Sequence, residues 1–223
     1  MHDDSPAAVL DFWFGAPPPQ QRAEWFRKSD AFDAQIRQRF GSLVAAALGN
    51  GLKDGLKDGL KDGLNDGLND GLNDGPDDGP DDGLPAAWSA SPESRLASIL
   101  VLDQFTRNIF RGSARAFAGD ARALALAMTM VEDGSLQALA PLQRWFACLP
   151  FEHAEELAMQ QRSVSLFSAL AAEDATLTGA LDYAQRHHEV IRRFGRFPHR
   201  NALLGRASTA DELLYLQQPG AGF

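Results

Sequence analysis

Three stretches of this sequence bring proton-transfer and anion-binding side chains close together. The first, Asp103-Gln104-Phe105-Thr106-Arg107-Asn108-Ile109-Phe110-Arg111-Gly112, crowds hydrogen-bonding groups at the end of a strongly apolar segment. The second is Pro150-Phe151-Glu152-His153-Ala154-Glu155-Glu156. On a helix beginning here, Glu152 and Glu156 at i,i+4 and His153 and Glu156 at i,i+3 would share a face. A His–carboxylate pair can orient a proton-transfer group or hold a metal. The competing expectation is that these Glu residues open a helix and complement its dipole. The third, Phe194-Gly195-Arg196-Phe197-Pro198-His199-Arg200-Asn201, groups basic and amide side chains in a loop shaped by Gly195 and Pro198. Such a cluster suits an anion through bidentate hydrogen bonds. Basic side chains at a helix end also cover its last carbonyls, and the sequence leaves both readings open.

His187 lies on a helical stripe with Ala180, Ala184, Ile191 and Phe194, so it is expected to point inward, as a hydrogen-bonded core residue or as a site residue. His188 is expected nearer the surface. A di-iron bundle would need Glu-x-x-His on two helices and a further Glu on two others. Here the order is His-x-x-Glu and the rest of the set is missing, so no metal ligands are assigned. Cys148, flanked by Ala147 and Leu149, reads as an inert buried thiol. No Gly-x-Ser-x-Gly elbow and no glycine-rich phosphate loop occurs.

These groups need rigid elements to carry them, and every periodic segment is helical. Ser5-Pro6 and Ser91-Pro92 pair an N-cap hydroxyl with Pro at the first helical position. Phe32, Ile36, Phe40, Leu43, Val44 and Ala47 recur at spacings of three and four. Further helices are expected from Asp120 to Met130, from Pro141, over Phe151–Ala171, over Leu177–Phe194 with Gly195 as C-cap, and after Ser208, whose capping box would use Asp211. No period-two alternation appears. The expected fold is all-α, one domain over residues 1–223 with about eight to nine helices.

Between Asn50 and Leu84 runs a four-residue repeat, Gly-Leu-Lys-Asp, then Gly-Leu-Asn-Asp, then Gly-Pro-Asp-Asp. Glycine at every fourth position costs about 1 kcal/mol each in a helix, and Pro76 and Pro80 cost more. The segment is therefore expected to be a disordered surface loop, a tolerated tandem expansion. Its Asn-Asp-Gly units offer closely spaced oxygens, but an EF-hand spacing with a terminal Glu is absent. The formal net charge is −9, of which this repeat carries −7, so the rest is nearly neutral. Nucleic acid is not an expected partner. A membrane is not expected either, because no apolar run approaches the ~20 residues of a span. An acidic start without a signal-like h-region and a single cysteine favour the cytoplasm.

The segments Val9-Leu10-Asp11-Phe12-Trp13-Phe14-Gly15, Leu102-Asp103-Gln104-Phe105-x-Arg107-Asn108, Pro150-Phe151-Glu152-His153 and Phe194–Asn201 resemble signature stretches of the domain-of-unknown-function family 924. The match extends over nearly the whole chain outside the repeat. The resemblance implies a compact fold of the tetratricopeptide-like helical superfamily and implies no known activity. Thr106 replaces the usual Pro of that family, and Ala154 replaces its usual Ser, so any chemistry of that Ser is lost here. The family's helical His falls on His187. The repeat stands between Gly49 and Trp88, where the family has a short connection.

The functional expectation is a polar pocket where the three stretches converge. In it Arg107, Asn108, Arg196, His199, Arg200 and Asn201 would hold an anionic small molecule. His153 or His187, assisted by Glu152 or Asp103, would move a proton. No cofactor is identified. The competing expectations are a protein-interaction module whose polar motifs are structural, and a metal-dependent enzyme.

Overall fold

The computed structural model describes residues 4–49 and 83–222. Among them there is no strand, and the protein is all-helical. The α-helical segments are α1 (Pro6–Phe14), α2 (Asp30–Ala47), α3 (Pro92–Ile99), α4 (Thr106–Ile109), α5 (Asp120–Glu132), α6 (Pro141–His153), α7 (Leu157–Glu173), α8 (Thr178–Phe194) and α9 (Ala210–Leu216). A π-helical turn, Leu100–Phe105, joins α3 to α4 in one rod. No described helix is long and apolar enough to cross a membrane.

The expected caps at Ser5, Ser91 and Gly195 are present, the first two accepting backbone N–H bonds and the last in the left-handed region. Two boundaries differ from expectation. The capping box of α9 uses Thr209 and Glu212, one residue beyond Ser208 and Asp211. The helix expected over Phe151–Ala171 is two helices. The helix from Pro141 runs through Pro150 and stops at His153, and α7 starts afresh at Leu157. Pro150, in the last turn of α6, lacks the N–H that would bond the Phe146 carbonyl and crowds that carbonyl, which favours an early end to the helix. The amide of fully buried Gln160 then donates to the carbonyls of Glu152 (2.6 Å) and Ala154 (2.7 Å), closing the end of α6. His153 and Glu156 therefore do not share a helical face.

One apolar core runs from α1 to α8. In it Phe146 meets the stacked pair Trp13 and Trp25 edge to face, and Phe105 stacks on Phe40 at 5.0 Å. A Cβ at Gly119 would overlap the Leu102 carbonyl, so glycine there lets the loop before α5 lie against the π turn. The chain leaves the described region at Gly49 and returns at Gly83, whose backbone rests on Ala46 and Ala47. Residues 50–82, and with them the expectation of a disordered surface loop, lie outside the described residues.

Candidate functional site

The short turns from α6 to α7 and from α7 to α8 set the three helices up, down and up. Accordingly α6 and α8 run the same way, and Glu152 near the end of one meets His187 toward the end of the other. The π turn and the loop after α8 close on the same place. Together they line a cleft of about 790 Å³.

The polar end of this cleft is built on Asp103, which has no solvent exposure. Its Oδ1 lies 2.7 Å from His153 Nδ1 and 3.0 Å from an Arg107 guanidinium nitrogen. Gln104 donates to its Oδ2 at 2.5 Å. Burial pushes the Asp103 carboxyl up, but Arg107 and His153 outweigh it and hold it well below the usual carboxylate range. An ionised Asp103 can only accept, so His153 carries its proton on Nδ1 and keeps Nε2 as the basic nitrogen. Burial and the Arg107 charge hold His153 below the usual imidazole range. Arg107 also forms a fork of 2.9 and 3.0 Å with Asp120, and its head donates to the Asp103 carbonyl at 2.7 Å.

Glu152 stands one residue before His153 in the last turn of α6 and is 4% exposed. Burial, and secondarily the charge of Asp103, push its carboxyl up to about 8. The negative end of the helix acts in the same direction. It is therefore a neutral acid at pH 7, and its Oε2 has no hydrogen-bond partner among the described residues. His187 lies 3.3 Å from Glu152 Oε1. This is a contact of neutral groups, since burial depresses His187 to about 3. Its Nδ1–H donates to the Tyr183 carbonyl at 2.9 Å.

Arg200 is held between two rings, 4.6 Å from the Phe117 centroid and 4.5 Å from that of Phe197. One terminal nitrogen donates to Asp120 at 3.3 Å, while buried Nε has no partner among the described residues. Burial, then Arg107, lowers the guanidinium to about 10, so it stays charged at neutral pH. His199 lines the cleft and is depressed to about 4 by burial and Arg200. Glu155 clamps the loop, accepting the Phe197 N–H at 2.7 Å and an Arg206 nitrogen at 2.9 Å.

Of the residues singled out by sequence, His153, Glu152, His187, Arg107, His199 and Arg200 line the cleft, and Asp103 stands behind His153. Three do not line it. Asn108 donates to Asp33 at 2.7 Å. Arg196 forks onto Glu212 at 2.6 and 2.8 Å. Asn201, 1% exposed, bonds Ser208 and accepts from Arg206. Arg107 lines the cleft with its charge already matched by two carboxylates, whereas Arg200 keeps a buried donor without a partner among the described residues, and Arg27 and Lys28 line the cleft as well. Sequence reasoning passed over Asp120, Phe117, Gln104 and the aromatic wall of Trp25, Phe26 and Trp145. Asp120 reads as a helix cap, but Gly119 is the cap and the Asp120 carboxylate turns to the two arginines. Buried Cys148 is pushed up to about 12 by burial, an inert thiol. Among the described residues no group of three or more His, Cys, Asp or Glu is placed to hold a metal ion.

Comparison with curated proteins finds no match. Among solved structures the chain is similar to "Structure of Protein of Unknown Function ATU0120 from Agrobacterium tumefaciens", with 34% sequence identity, a TM-score of 0.70, and coverage of 95% of this chain and 96% of that one. The model of the family described as "Bacterial protein of unknown function (DUF924)" matches residues 9–220, a span that holds Asp103, Glu152, His153, His187 and Arg200, and the chain belongs to this family.

Proposed function

We propose that the cleft binds a small molecule through one anionic group at Arg200 and exchanges a proton with it through Glu152 and His153. The observation that carries this reading is Glu152, a cleft-lining residue whose carboxyl is buried and keeps one oxygen without a partner among the described residues, beside an Asp–His pair. Leaving a buried polar atom unpaired costs about 1–3 kcal/mol. Arg200, which also lines the cleft, has a buried Nε without a partner among the described residues, so a donor and an acceptor on two residues of one cleft are left for a ligand to serve.

At pH 7 Glu152 offers an O–H, and His153 offers Nε2 as an acceptor. Glu152, raised to about 8, keeps a proton to donate, and His153, lowered from 6.5, stays neutral to accept one, so their environments push the two groups into opposite roles. Asp103 fixes the His153 tautomer and stabilises the ring when it takes up a proton. Around Arg200 the carboxylates of Asp103 and Asp120 oppose a polyanion, while Arg27 and Lys28 add positive charge elsewhere along the cleft. The up–down–up packing of α6, α7 and α8 supports a tetratricopeptide-like reading of this half of the chain. The polar groups that line its cleft favour a small ligand over a peptide.

The test is thermal unfolding with short carboxylates and with inorganic phosphate, on the native chain and on Arg200→Gln. Carboxylates are expected to raise the Tm of the native chain and not of the variant, and phosphate to act more weakly. No shift with any anion, or equal shifts in both proteins, contradicts the reading.

A further inference from the structure

The cleft has a second end. On α6, Trp145, Leu149, Glu152 and His153 follow at i, i+4, i+7 and i+8, and all four line it. At 1.5 Å per residue, Trp145 stands about 10 Å along the helix from Glu152. Around Trp145 the wall is aromatic. Phe26 stacks on it with centroids 5.2 Å apart and planes 16° from parallel, and Trp25 is next in the chain. Phe26 is 58% exposed, an unusual position for a ring stacked against a core residue. The other wall, on α8, keeps this end open. Gly179 and Ala180 lie two turns before His187, and a Cβ at Gly179 would meet nothing within 4 Å.

Resting on the reading of the cleft given above, we propose that its ligand is an elongated amphiphilic carboxylic acid. Its carboxylate lies at Arg200 and its apolar acyl or aryl arm lies along α6 against Trp145, Phe26 and Trp25. One unpartnered cationic donor beside a neutral acid suits a carboxylate. The ionised Asp103 and Asp120 next to it oppose a phosphate dianion. The aromatic wall gives an arm of about 10 Å a surface to cover, with Gln21, Arg27 and Lys28 also lining the cleft.

The experiment is isothermal titration of the full chain with straight-chain carboxylates from butyrate to dodecanoate, kept below their micelle concentrations, and with the matching alcohols. One-to-one affinity is expected to rise roughly threefold per methylene until the arm spans about 10 Å, then to level. Alcohols are expected to bind at least tenfold more weakly than the acids. Gly179→Leu fills open space on a helix and should leave butyrate unchanged while weakening the long acids at least tenfold. Phe26→Ala, at an exposed ring, should flatten the length dependence. Binding of butyrate with no gain from length overturns the amphiphile but leaves an anion site at Arg200. Binding of no acid overturns both. Equal affinity of alcohols and acids, or many molecules bound per chain, also overturns the proposal.

Discussion

Asp103 and His153 stand 50 residues apart in the chain, yet Asp103 Oδ1 and His153 Nδ1 are 2.7 Å apart at the wall of the cleft. The contact joins the π turn to the end of α6, the two places where the regular helix is interrupted. Both interruptions serve it. The wide turn carries Asp103 inward, and the stop after His153 leaves that ring at the cleft instead of in a continuing helix.

Removing the charge of Asp103 should therefore act on stability and on proton affinity together. Asp103→Asn leaves Arg107 buried with Asp120 alone, and breaking a buried pair costs about 3 kcal/mol. The loss is expected in urea unfolding at pH 7. In NMR titration, His153 of the folded variant should take up its proton at lower pH than in the native chain, because Asp103 is among the groups that raise its proton affinity. An unchanged His153 titration contradicts the pairing.

The buried acid and imidazoles set a pH optimum for stability. Glu152 is raised to about 8 from 4.5. A carboxyl raised in the folded state contributes stability fully below its unfolded value, and that stability is lost as pH rises through 8. His153, His187 and His199 are all lowered from 6.5. The unfolded chain protonates them first, so stability is lost as pH falls below 6.5. The maximum is expected near pH 6.5, with a steep acid limb and a shallower alkaline limb. Glu152→Gln should flatten the alkaline limb and be the more stable protein at pH 8. Measuring Tm from pH 5 to 8.5 for both proteins checks this, and parallel curves above pH 6.5 contradict it.

Glu155 should govern the loop that carries His199 and Arg200. It bonds the Phe197 N–H and Arg206, and Phe197 is fully buried. Glu155→Ala is expected to cost about 2 kcal/mol and to speed amide exchange over residues 197–201, with α1 and α2 unchanged. Uniform loss of protection across the protein would show that the effect is global unfolding.

Thr106 stands where the resembling family has Pro. Fully buried, it donates its hydroxyl to the Leu102 carbonyl of the π turn at 2.8 Å. A Pro at that position lacks an N–H and itself breaks the regular ladder. The π turn thus exists here with a hydroxyl supporting it. Thr106→Val should cost about 1–2 kcal/mol, measured by urea unfolding. No cost would mean that water already serves that carbonyl.

The sequence carried the helical class, the caps at Ser5, Ser91 and Gly195, and the stretches that meet at the cleft, because caps and periodicity are local. It placed His187 inward, and that residue is buried beside Glu152. The break between α6 and α7 was not legible. Pro150 resembles a helix-opening residue, and only the later reach of Gln160 shows that a helix ends there. Partner choice among the arginines was also hidden. Arg107 finds Asp120 13 residues on, and Arg196 finds Glu212 16 residues on, each on another element. Spacing alone cannot separate those paired cations from Arg200, which keeps an unpartnered donor.

The cleft as a ligand site is tested most directly by native mass spectrometry of the protein purified from its own host, beside Arg200→Gln prepared the same way. A single small acid retained by the native chain and missing from the variant is the expected result. Identical retained masses in the two proteins, or a retained species that is a metal or a peptide, would contradict it.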